Sequence, residues 1–306
     1  MSSTLATPLE APTAHPPGWR AWLLATRPAT LPAAVLPVVV GTALAARAGA
    51  ARWSVTLTTL VATLLIQIGT NLFNDYADFV KGADTHERLG PKRATQQGWL
   101  APHTVLRASL ATFTGALAAG AWLVHLAGWP VVVIGLASIA CGLLYTGSRY
   151  ALAYTGLGDL FVFVFFGLVA VVGTYYVHTG SIAAIAWWAA VPVGLLITAI
   201  LVVNNLRDRH TDARAHKRTL AVRFGGAFAR AQYALLVVSA YLCVVLAVTS
   251  GEAPRGWLLA LASAPWAFLS IRAVRRLDGV ALNPWLGATA RLGLVFGILL
   301  AAGSLL

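Results

Sequence analysis

The chain has 306 residues, of which 58% are hydrophobic and only 10% are charged. Soluble globular domains carry about 25% charged residues, so this composition excludes an ordinary soluble protein and indicates a polytopic membrane protein. The formal net charge of +12 does not require a nucleic-acid partner, because the cytoplasmic loops of membrane proteins collect Lys and Arg. Both cysteines, Cys141 and Cys243, lie inside apolar runs, which argues against a disulfide framework.

Apolar runs of about 20 residues, long enough to cross a bilayer, recur along most of the sequence. Residues 1–18 precede these runs, contain no Lys or Arg, and are predicted to form a disordered tail. Residues 19–306 are predicted to form a single transmembrane domain. The predicted spans are 20–46, 54–78, 103–126, 129–147, 157–178, 184–206, 226–249, 255–274 and 284–305.

The basic residues indicate the orientation of these spans. With a cytoplasmic amino terminus, every Lys and Arg falls on the inner side except Arg47, Arg52 and Arg255, which fall outside, and Arg291, which falls within the last span. This bias follows the positive-inside rule. We therefore predict a multi-pass protein of the cell inner (plasma) membrane with its amino terminus in the cytoplasm.

The second predicted span ends in a polar helix face. Asn71, Asn74, Asp75 and Asp78 occupy positions i, i+3, i+4 and i+7, which lie on one side of a helix. Carboxylates at the end of a transmembrane helix are costly unless they face a polar cavity or a bound cation. The face therefore predicts a functional site rather than a lipid-facing surface.

The sixth predicted span ends in a second polar face of similar form, with Asn204, Asp208 and Asp212 at i, i+4 and i+8. Mg²⁺ is bound through one or two carboxylates and completes its shell with water and phosphate oxygens. Two such faces predict one Mg²⁺ site that binds a lipid diphosphate and makes it a good leaving group. The competing interpretation is that these are ordinary charges at solvated helix ends.

Together these patterns predict an all-α polytopic membrane protein, with nine transmembrane helices around a central cavity open to the cytoplasmic side. The two polar faces, residues 71–78 and 204–212, form what we call the first and second acidic segments. They are expected to meet across that cavity. Since the lipid substrate would keep its phosphates at the membrane surface, the lipid bilayer is itself a predicted partner.

The motifs resemble those of the UbiA superfamily of intramembrane prenyltransferases. Residues 74–78 (NDYAD) resemble its first Asp-rich motif, NDxxD, and residues 208–212 (DRHTD) resemble its second, DxxxD. Within the superfamily the chain is most similar to the MenA branch, the 1,4-dihydroxy-2-naphthoate polyprenyltransferases. The segments that carry this narrower resemblance are WLLATRPATLP (22–32), KGADTHERLGPKR (81–93), FFG (165–167), GTYY (173–176), NNLRD (204–208) and KRTLAV (217–222).

The resemblance implies transfer of a polyprenyl group from polyprenyl diphosphate to 1,4-dihydroxy-2-naphthoate. Diphosphate and CO₂ would be lost, giving demethylmenaquinol in menaquinone biosynthesis. It also implies four carboxylates that bind Mg²⁺ and are required for catalysis, namely Asp75, Asp78, Asp208 and Asp212. Substrate binding is expected from Asn71, Asn74, Lys81, Arg93, Tyr145, Arg149, Asn204, Lys217 and Arg218.

Other residues carry expectations of their own. Arg291, inside the last span, is expected to contact the acceptor carboxylate or an acid, with snorkelling to the membrane surface as the alternative. The family's glycine before the KRTLAV run is His216 here, so this loop is expected to differ. Candidates for shielding an allylic cation through their π faces are Tyr145, Tyr154, Phe161, Phe165, Tyr175 and Tyr176.

Three alternatives remain beside this reading. A 4-hydroxybenzoate-type acceptor is the alternative within the same enzyme class. An ion-coupled secondary transporter would place its acids near the middle of the membrane, whereas these acids lie at inner helix ends. A phosphatidyl-alcohol transferase needs a denser Asp-Gly-Ala-Arg-Gly-Asp motif, which the sequence does not contain.

Overall fold

Helices make up the architecture of this computed structural model, which describes residues 16–82, 89–147 and 151–306. These ranges contain no strand, so the all-α prediction is confirmed for them. The helices are α1 (Gly18–Ala25), α2 (Pro32–Arg47), α3 (Trp53–Val80), α4 (Pro102–Ala127), α5 (Pro130–Thr146), α6 (Leu152–Thr155), α7 (Gly158–Val162), α8 (Ala170–Thr179), α9 (Ala184–Arg214), α10 (Leu220–Thr249), α11 (Ala264–Arg276) and α12 (Asn283–Ser304). Shorter 3₁₀ or π segments are Pro28–Thr30, Phe163–Val169, Arg255–Ser263 and Gly279–Leu282.

Seven continuous helical segments within the described ranges are long and apolar enough to cross a membrane. They are Trp53–Val80, Pro102–Ala127, Gly158–Thr179, Ala184–Arg214, Leu220–Thr249, Arg255–Arg276 and Gly279–Ser304. The pair formed by α1 and α2 counts as one more span if its bend of 52° is accepted within a span, and α5 is a shorter apolar helix. The chain is therefore an integral membrane protein with about seven spanning helices, and the count of nine stays a prediction.

The chain between α1 and α2 first leaves helical geometry at Arg27, whose φ of 53° is in the left-handed region. Pro28 follows, and a proline disfavours helical geometry in the residue before it. Asn71 of α3 donates hydrogen bonds to the Thr26 carbonyl oxygen at 2.9 Å and to Thr30 Oγ1 at 3.0 Å. The first acidic helix is thus tied to the break in the first helical pair.

Helix α9 lies at the centre of the main apolar core. Its residues between Ala186 and Leu206 pack with buried side chains of α2, α8, α10 and α12 in one cluster. On another side, a Cβ added to Gly167 of the π segment would lie 2.5 Å from the Gly194 Cα of α9, so glycine is needed for this close backbone approach. The helix that carries the second acidic segment is therefore packed against several other helices.

A second close approach joins α12 to the 3₁₀ segment Arg255–Ser263. A Cβ added to Gly303 would lie 2.0 Å from the Gly256 carbonyl oxygen. Buried Trp257 donates from Nε1 to Ser304 Oγ at 2.8 Å, and Arg47 donates to the Ser304 carbonyl oxygen at 3.1 Å. These contacts fix the C-terminal end of α12.

We predict that Gly303→Ala lowers thermal stability, because its methyl group has no room beside Gly256 and the overpacking costs about 1–3 kcal/mol. The measurement is the unfolding midpoint of the detergent-purified protein. Gly287→Ala is the matched control in the same helix, since a Cβ there meets no atom within 4 Å. Equal midpoints for the two variants would contradict this packing.

Candidate active site

The two acidic segments line one cavity of about 1050 Å³. Asp75 and Asp78 of α3 and Asp208 and Asp212 of α9 all lie in its wall. Asp75, Asp78 and Asp208 are buried. Carboxylates taken from water need compensating charge or hydrogen bonds, so their partners define the site.

Lys217 links the two segments. Its Nζ lies 3.8 Å from Asp78 Oδ2 and 3.9 Å from Asp212 Oδ1. The two carboxylates are therefore no farther apart than the sum of these distances, although their residues are far apart in sequence. The residue before Lys217, His216, has φ 56°, a left-handed conformation that favours glycine, so the departure from the family's glycine falls at a strained position.

Asp78 is held by Arg93 and Tyr154 as well as by Lys217. Arg93 Nη1 donates to its Oδ2 at 2.6 Å, and the Tyr154 hydroxyl donates to its Oδ1 at 2.6 Å. Arg93 also donates to the Asn74 carbonyl oxygen at 3.0 Å. Because Arg93 is buried, this is a charge-assisted pair in a low-dielectric setting, and it orients the Asp78 carboxylate.

Asp75 is held by the segment that follows the GPKR run. The Ala94 amide donates to Asp75 Oδ2 at 3.2 Å, and the Thr95 hydroxyl donates to Asp75 Oδ1. Ala94 and Thr95 are buried. The chain after α3 therefore folds back over the acidic face, and this return explains why GPKR lies close to the first motif in space as well as in sequence.

Arg207 is the partner of Asp208, and the sequence reasoning missed it. Its Nε and Nη2 donate to the two Asp208 carboxylate oxygens at 2.8 and 2.6 Å, and its Nη2 also donates to Asn204 Oδ1 at 2.7 Å. Its Nη1 donates to Asn283 Oδ1 at 3.0 Å, and Asn283 donates to the Leu89 carbonyl oxygen at 3.0 Å. Arg207 is fully buried and joins α9, α12 and the loop before GPKR. A basic residue directly before an acid, at the end of the apolar run, was the available signal.

The predicted asparagines line the cavity and position its walls. Asn71 bonds to the break after α1, as described above, and Asn74 Oδ1 accepts a hydrogen bond from the Thr146 hydroxyl at 2.6 Å. Asn204 accepts from Arg207. These contacts join α3 to α5 and orient the second acidic segment.

The predicted phosphate-binding cations fall into different settings. Lys81 donates to the Thr146 carbonyl oxygen and lies over the Tyr154 ring. The pKa of Lys81 is lowered, chiefly because the ammonium group is desolvated. Asp78 opposes this shift, and the nearby Lys217 adds to it. Arg218 is exposed and lies outside the cavity lining formed by the described residues. Arg149 lies outside the described residues.

The aromatic candidates separate clearly by position. Tyr145, Phe161 and Phe165 line the cavity, and the last two rings are parallel with centroids 6.0 Å apart. Tyr175 is buried in the main core, while the Tyr176 hydroxyl donates to the Ala127 carbonyl oxygen at 3.0 Å. Only the first three therefore face a substrate held in the cavity.

Arg291 is exposed on the surface of α12, away from the cavity lining formed by the described residues. The expected contact with the acceptor carboxylate or an acid is therefore not supported. The structure favours the alternative, in which the long side chain snorkels toward the membrane surface.

The donor set suits Mg²⁺. Oxygen ligands from paired carboxylates are what this ion takes from proteins, together with water and phosphate. Within the described ranges, no three His, Cys, Asp or Glu side chains converge as a metal cluster. Paired carboxylates on two helices suit an ion that takes few protein ligands and completes its shell with a phosphorylated substrate.

The chain is similar to known proteins both in sequence and in fold. The model of the UbiA prenyltransferase family matches residues 34–295. A 1,4-dihydroxy-2-naphthoate octaprenyltransferase from Mycobacterium leprae is 42% identical, covering 93% of this chain and 95% of the relative, and the Escherichia coli protein of that name is 37% identical, covering 93% and 94%. A UbiA homologue from Archaeoglobus fulgidus, solved with DMAPP and Mg²⁺, has the same fold with a TM-score of 0.66 at 14% identity, covering 92% of this chain and 99% of that chain.

We predict that Arg207→Met destabilises the protein strongly, because it leaves the Asp208 carboxylate buried without its cation. Removing one partner of a buried pair costs about 3–5 kcal/mol. The double variant Arg207→Met/Asp208→Asn is expected to recover part of the loss, since the stranded charge is gone. Thermal unfolding midpoints in detergent measure both effects.

The control is Arg209→Met, which removes a more exposed ion pair with Asp278 at 2.6 Å. Exposed pairs contribute about 0–1 kcal/mol, so its midpoint should stay near that of the wild type. If Arg207→Met were no less stable than Arg209→Met, the structural role assigned to Arg207 would be wrong.

Proposed function

The chain belongs to the UbiA prenyltransferase family, and we propose that it transfers a polyprenyl group from polyprenyl diphosphate to 1,4-dihydroxy-2-naphthoate. The products are diphosphate, CO₂ and demethylmenaquinol, in menaquinone biosynthesis. Several curated relatives that are 34–42% identical over most of the chain are named 1,4-dihydroxy-2-naphthoate octaprenyltransferase. The observation that carries the proposal is the pair of acidic segments joined by Lys217 in the wall of one cavity.

The cavity has the two chemical characters that a prenyl diphosphate needs. Acids and cations surround its polar end, whereas residues of α4 and α5 such as Leu117, Leu123 and Ile139 line the rest. An apolar chain gains about 25 cal/mol for each Å² of surface it removes from water. The donor is therefore placed with its diphosphate at the acids and its prenyl chain along the apolar wall.

We assign Asp75, Asp78, Asp208 and Asp212 as the residues that hold Mg²⁺. The ion supplies Lewis-acid charge that stabilises the departing diphosphate. The side chains of this protein do the rest: Lys217, Arg93 and Lys81 offer positive charge to the diphosphate oxygens, with Arg149 and Arg218 as further candidates. Asn71, Asn74 and Asn204 keep the acidic helices in register.

In the proposed reaction the allylic carbon–oxygen bond breaks and its electron pair leaves with the diphosphate. The acceptor carbon that bears the carboxylate then forms the new carbon–carbon bond. Loss of CO₂ from that carbon returns an electron pair to the ring and restores its aromaticity. Tyr145, Phe161 and Phe165 face the cavity and exclude water from the cation, which π faces also stabilise.

The proposed setting follows from the charge distribution. We propose a cell inner membrane location with the amino terminus in the cytoplasm and the polar end of the cavity opening there. Of the predicted tail, residues 1–18, the first fifteen lie outside the described residues, and Gly18 is already the first residue of α1. The bias of Lys and Arg toward the predicted inner loops supports this orientation.

The test is prenyl transfer in membranes that contain the protein, Mg²⁺ and labelled polyprenyl diphosphate. We expect lipid product and CO₂ with 1,4-dihydroxy-2-naphthoate and no lipid product with 4-hydroxybenzoate. Product from 4-hydroxybenzoate alone would replace the acceptor assignment and leave the enzyme class intact. Transfer that continues without any divalent cation would contradict the Mg²⁺ assignment.

In the same assay, Asp75→Asn and Asp208→Asn are expected to abolish transfer, because each removes a carboxylate assigned to Mg²⁺. Rates are compared per amount of folded protein, because Asp208→Asn also leaves the buried Arg207 without its carboxylate and lowers stability. Asp278→Asn is the matched control, since this acid pairs with Arg209 and Arg230 outside the cavity lining, and it should keep activity. Wild-type rates in either cavity variant would reject the assigned site.

A further inference from the structure

Tyr154 lies where the two acidic segments meet. It belongs to α6, the short helix between α5 and α7. Its ring lies under two ammonium groups, Lys81 Nζ at 5.2 Å and Lys217 Nζ at 5.0 Å from the ring centroid. Both distances are within the range of a cation–π contact, which extends to about 6 Å.

The polar atoms of Tyr154 also contact the first segment and the chain that follows the second. Its hydroxyl donates to Asp78 Oδ1 at 2.6 Å, and its carbonyl oxygen accepts a hydrogen bond from the Arg218 amide at 2.9 Å. Asp78 belongs to the first segment and Lys81 follows it, whereas Lys217 and Arg218 follow the second. One side chain and its backbone therefore join the parts of the site that come from distant regions of the sequence.

This position changes the role expected for Tyr154. The ring is already engaged by two cations, and Tyr154 is not among the described residues that line the cavity, although Lys217 is. It therefore does not face an allylic cation as the sequence suggested. Its contacts act on other side chains instead. Asp78 and Lys217 line the cavity, whereas Lys81 is exposed beside it and is not part of that lining.

Lys81 and Lys217 need a group that holds their ammonium groups in place. Lysine side chains are flexible and carry about 2 kcal/mol of rotamer entropy, and two ammonium groups near one another repel. A ring that attracts both cations offsets this repulsion and restricts their positions. Two lysines held in this way present a fixed pair of positive charges to an anionic group.

We propose that Tyr154 is a positioning residue for diphosphate recognition, whose ring holds Lys81 and Lys217 together and whose hydroxyl orients Asp78. This rests on the proposed function, because it takes the anion bound by the two lysines to be the diphosphate of the prenyl donor. Ring and hydroxyl have separate tasks, and substitutions separate them.

The experiment measures how well inorganic pyrophosphate displaces labelled polyprenyl diphosphate from the purified protein, at saturating and at graded Mg²⁺. Tyr154→Phe keeps the ring and loses the hydroxyl, so it should need more Mg²⁺ for half-maximal binding but keep wild-type affinity at saturation. Tyr154→Leu loses the ring as well and should weaken pyrophosphate binding between about 2- and 30-fold even at saturating Mg²⁺, the range for loss of cation–π contacts.

A double-mutant cycle tests whether the ring acts through Lys217. In a Lys217→Met background, Tyr154→Leu should cost less affinity than in the wild type, because the contact it removes is already absent. Tyr241→Phe is the matched control, since its hydroxyl bonds to Ser263 at 2.7 Å in another part of the fold, and it should change neither property. If Tyr154→Leu does not fold, Tyr154→Trp and Tyr154→Met make the same comparison with and without an aromatic face.

Wild-type affinity in Tyr154→Leu, equal losses in Tyr154→Phe and Tyr154→Leu, or strictly additive effects with Lys217→Met would each overturn the proposal. If Tyr154 had a purely structural role, its substitutions would lower the unfolding midpoint. Tyr154→Phe would then not change the Mg²⁺ requirement alone, and Tyr154→Leu would not specifically weaken pyrophosphate binding. Failure of the proposed function is distinguishable, because the wild-type protein would then not bind the labelled donor at all.

Discussion

The Lys217 ammonium lies between carboxylates from two separate helices, 3.8 Å from Asp78 and 3.9 Å from Asp212. Two helix ends that carry carboxylates repel each other, most strongly where the surroundings are apolar. A cation between the carboxylates of α3 and α9 offsets this repulsion. Most features of the site depend on this bridge, because it makes one cavity wall from two distant parts of the chain.

Each buried carboxylate around this bridge has its own fixed donors, which stabilise the charge and aim it. Asp75 receives hydrogen bonds from the returning loop, Asp78 from Arg93 and Tyr154, and Asp208 from Arg207. A buried charge without such partners would cost several kcal/mol. In the proposed function, Mg²⁺ and diphosphate enter a site that is already shaped, and cations that neutralise the acids are placed to meet the phosphate oxygens.

Sequence reasoning predicted the helical class and the acidic faces, because helix periodicity and charge in apolar runs are local properties. Asp75 and Asp78 do share a cavity-lining face. It missed the role of Arg207 and misjudged Tyr154, because spacing indicates a face but not the partner on another helix. It left open whether Arg291 makes an interior contact or snorkels, and the structure exposes this side chain. Such contacts depend on helix packing, which includes the bend between α1 and α2 and the glycine contact between α9 and the π segment.

The most direct measurement of the central claim is a crystal structure with Mn²⁺ in place of Mg²⁺ and a non-reactive prenyl diphosphate analogue, using anomalous scattering to locate the metal. The proposed site predicts anomalous peaks between the two acidic segments, bridging carboxylate oxygens of Asp75 or Asp78 and of Asp208 or Asp212 through the diphosphate. Peaks that contact only one segment, or Asp75 and Asp208 directed into separate compartments, would contradict a site shared by both segments.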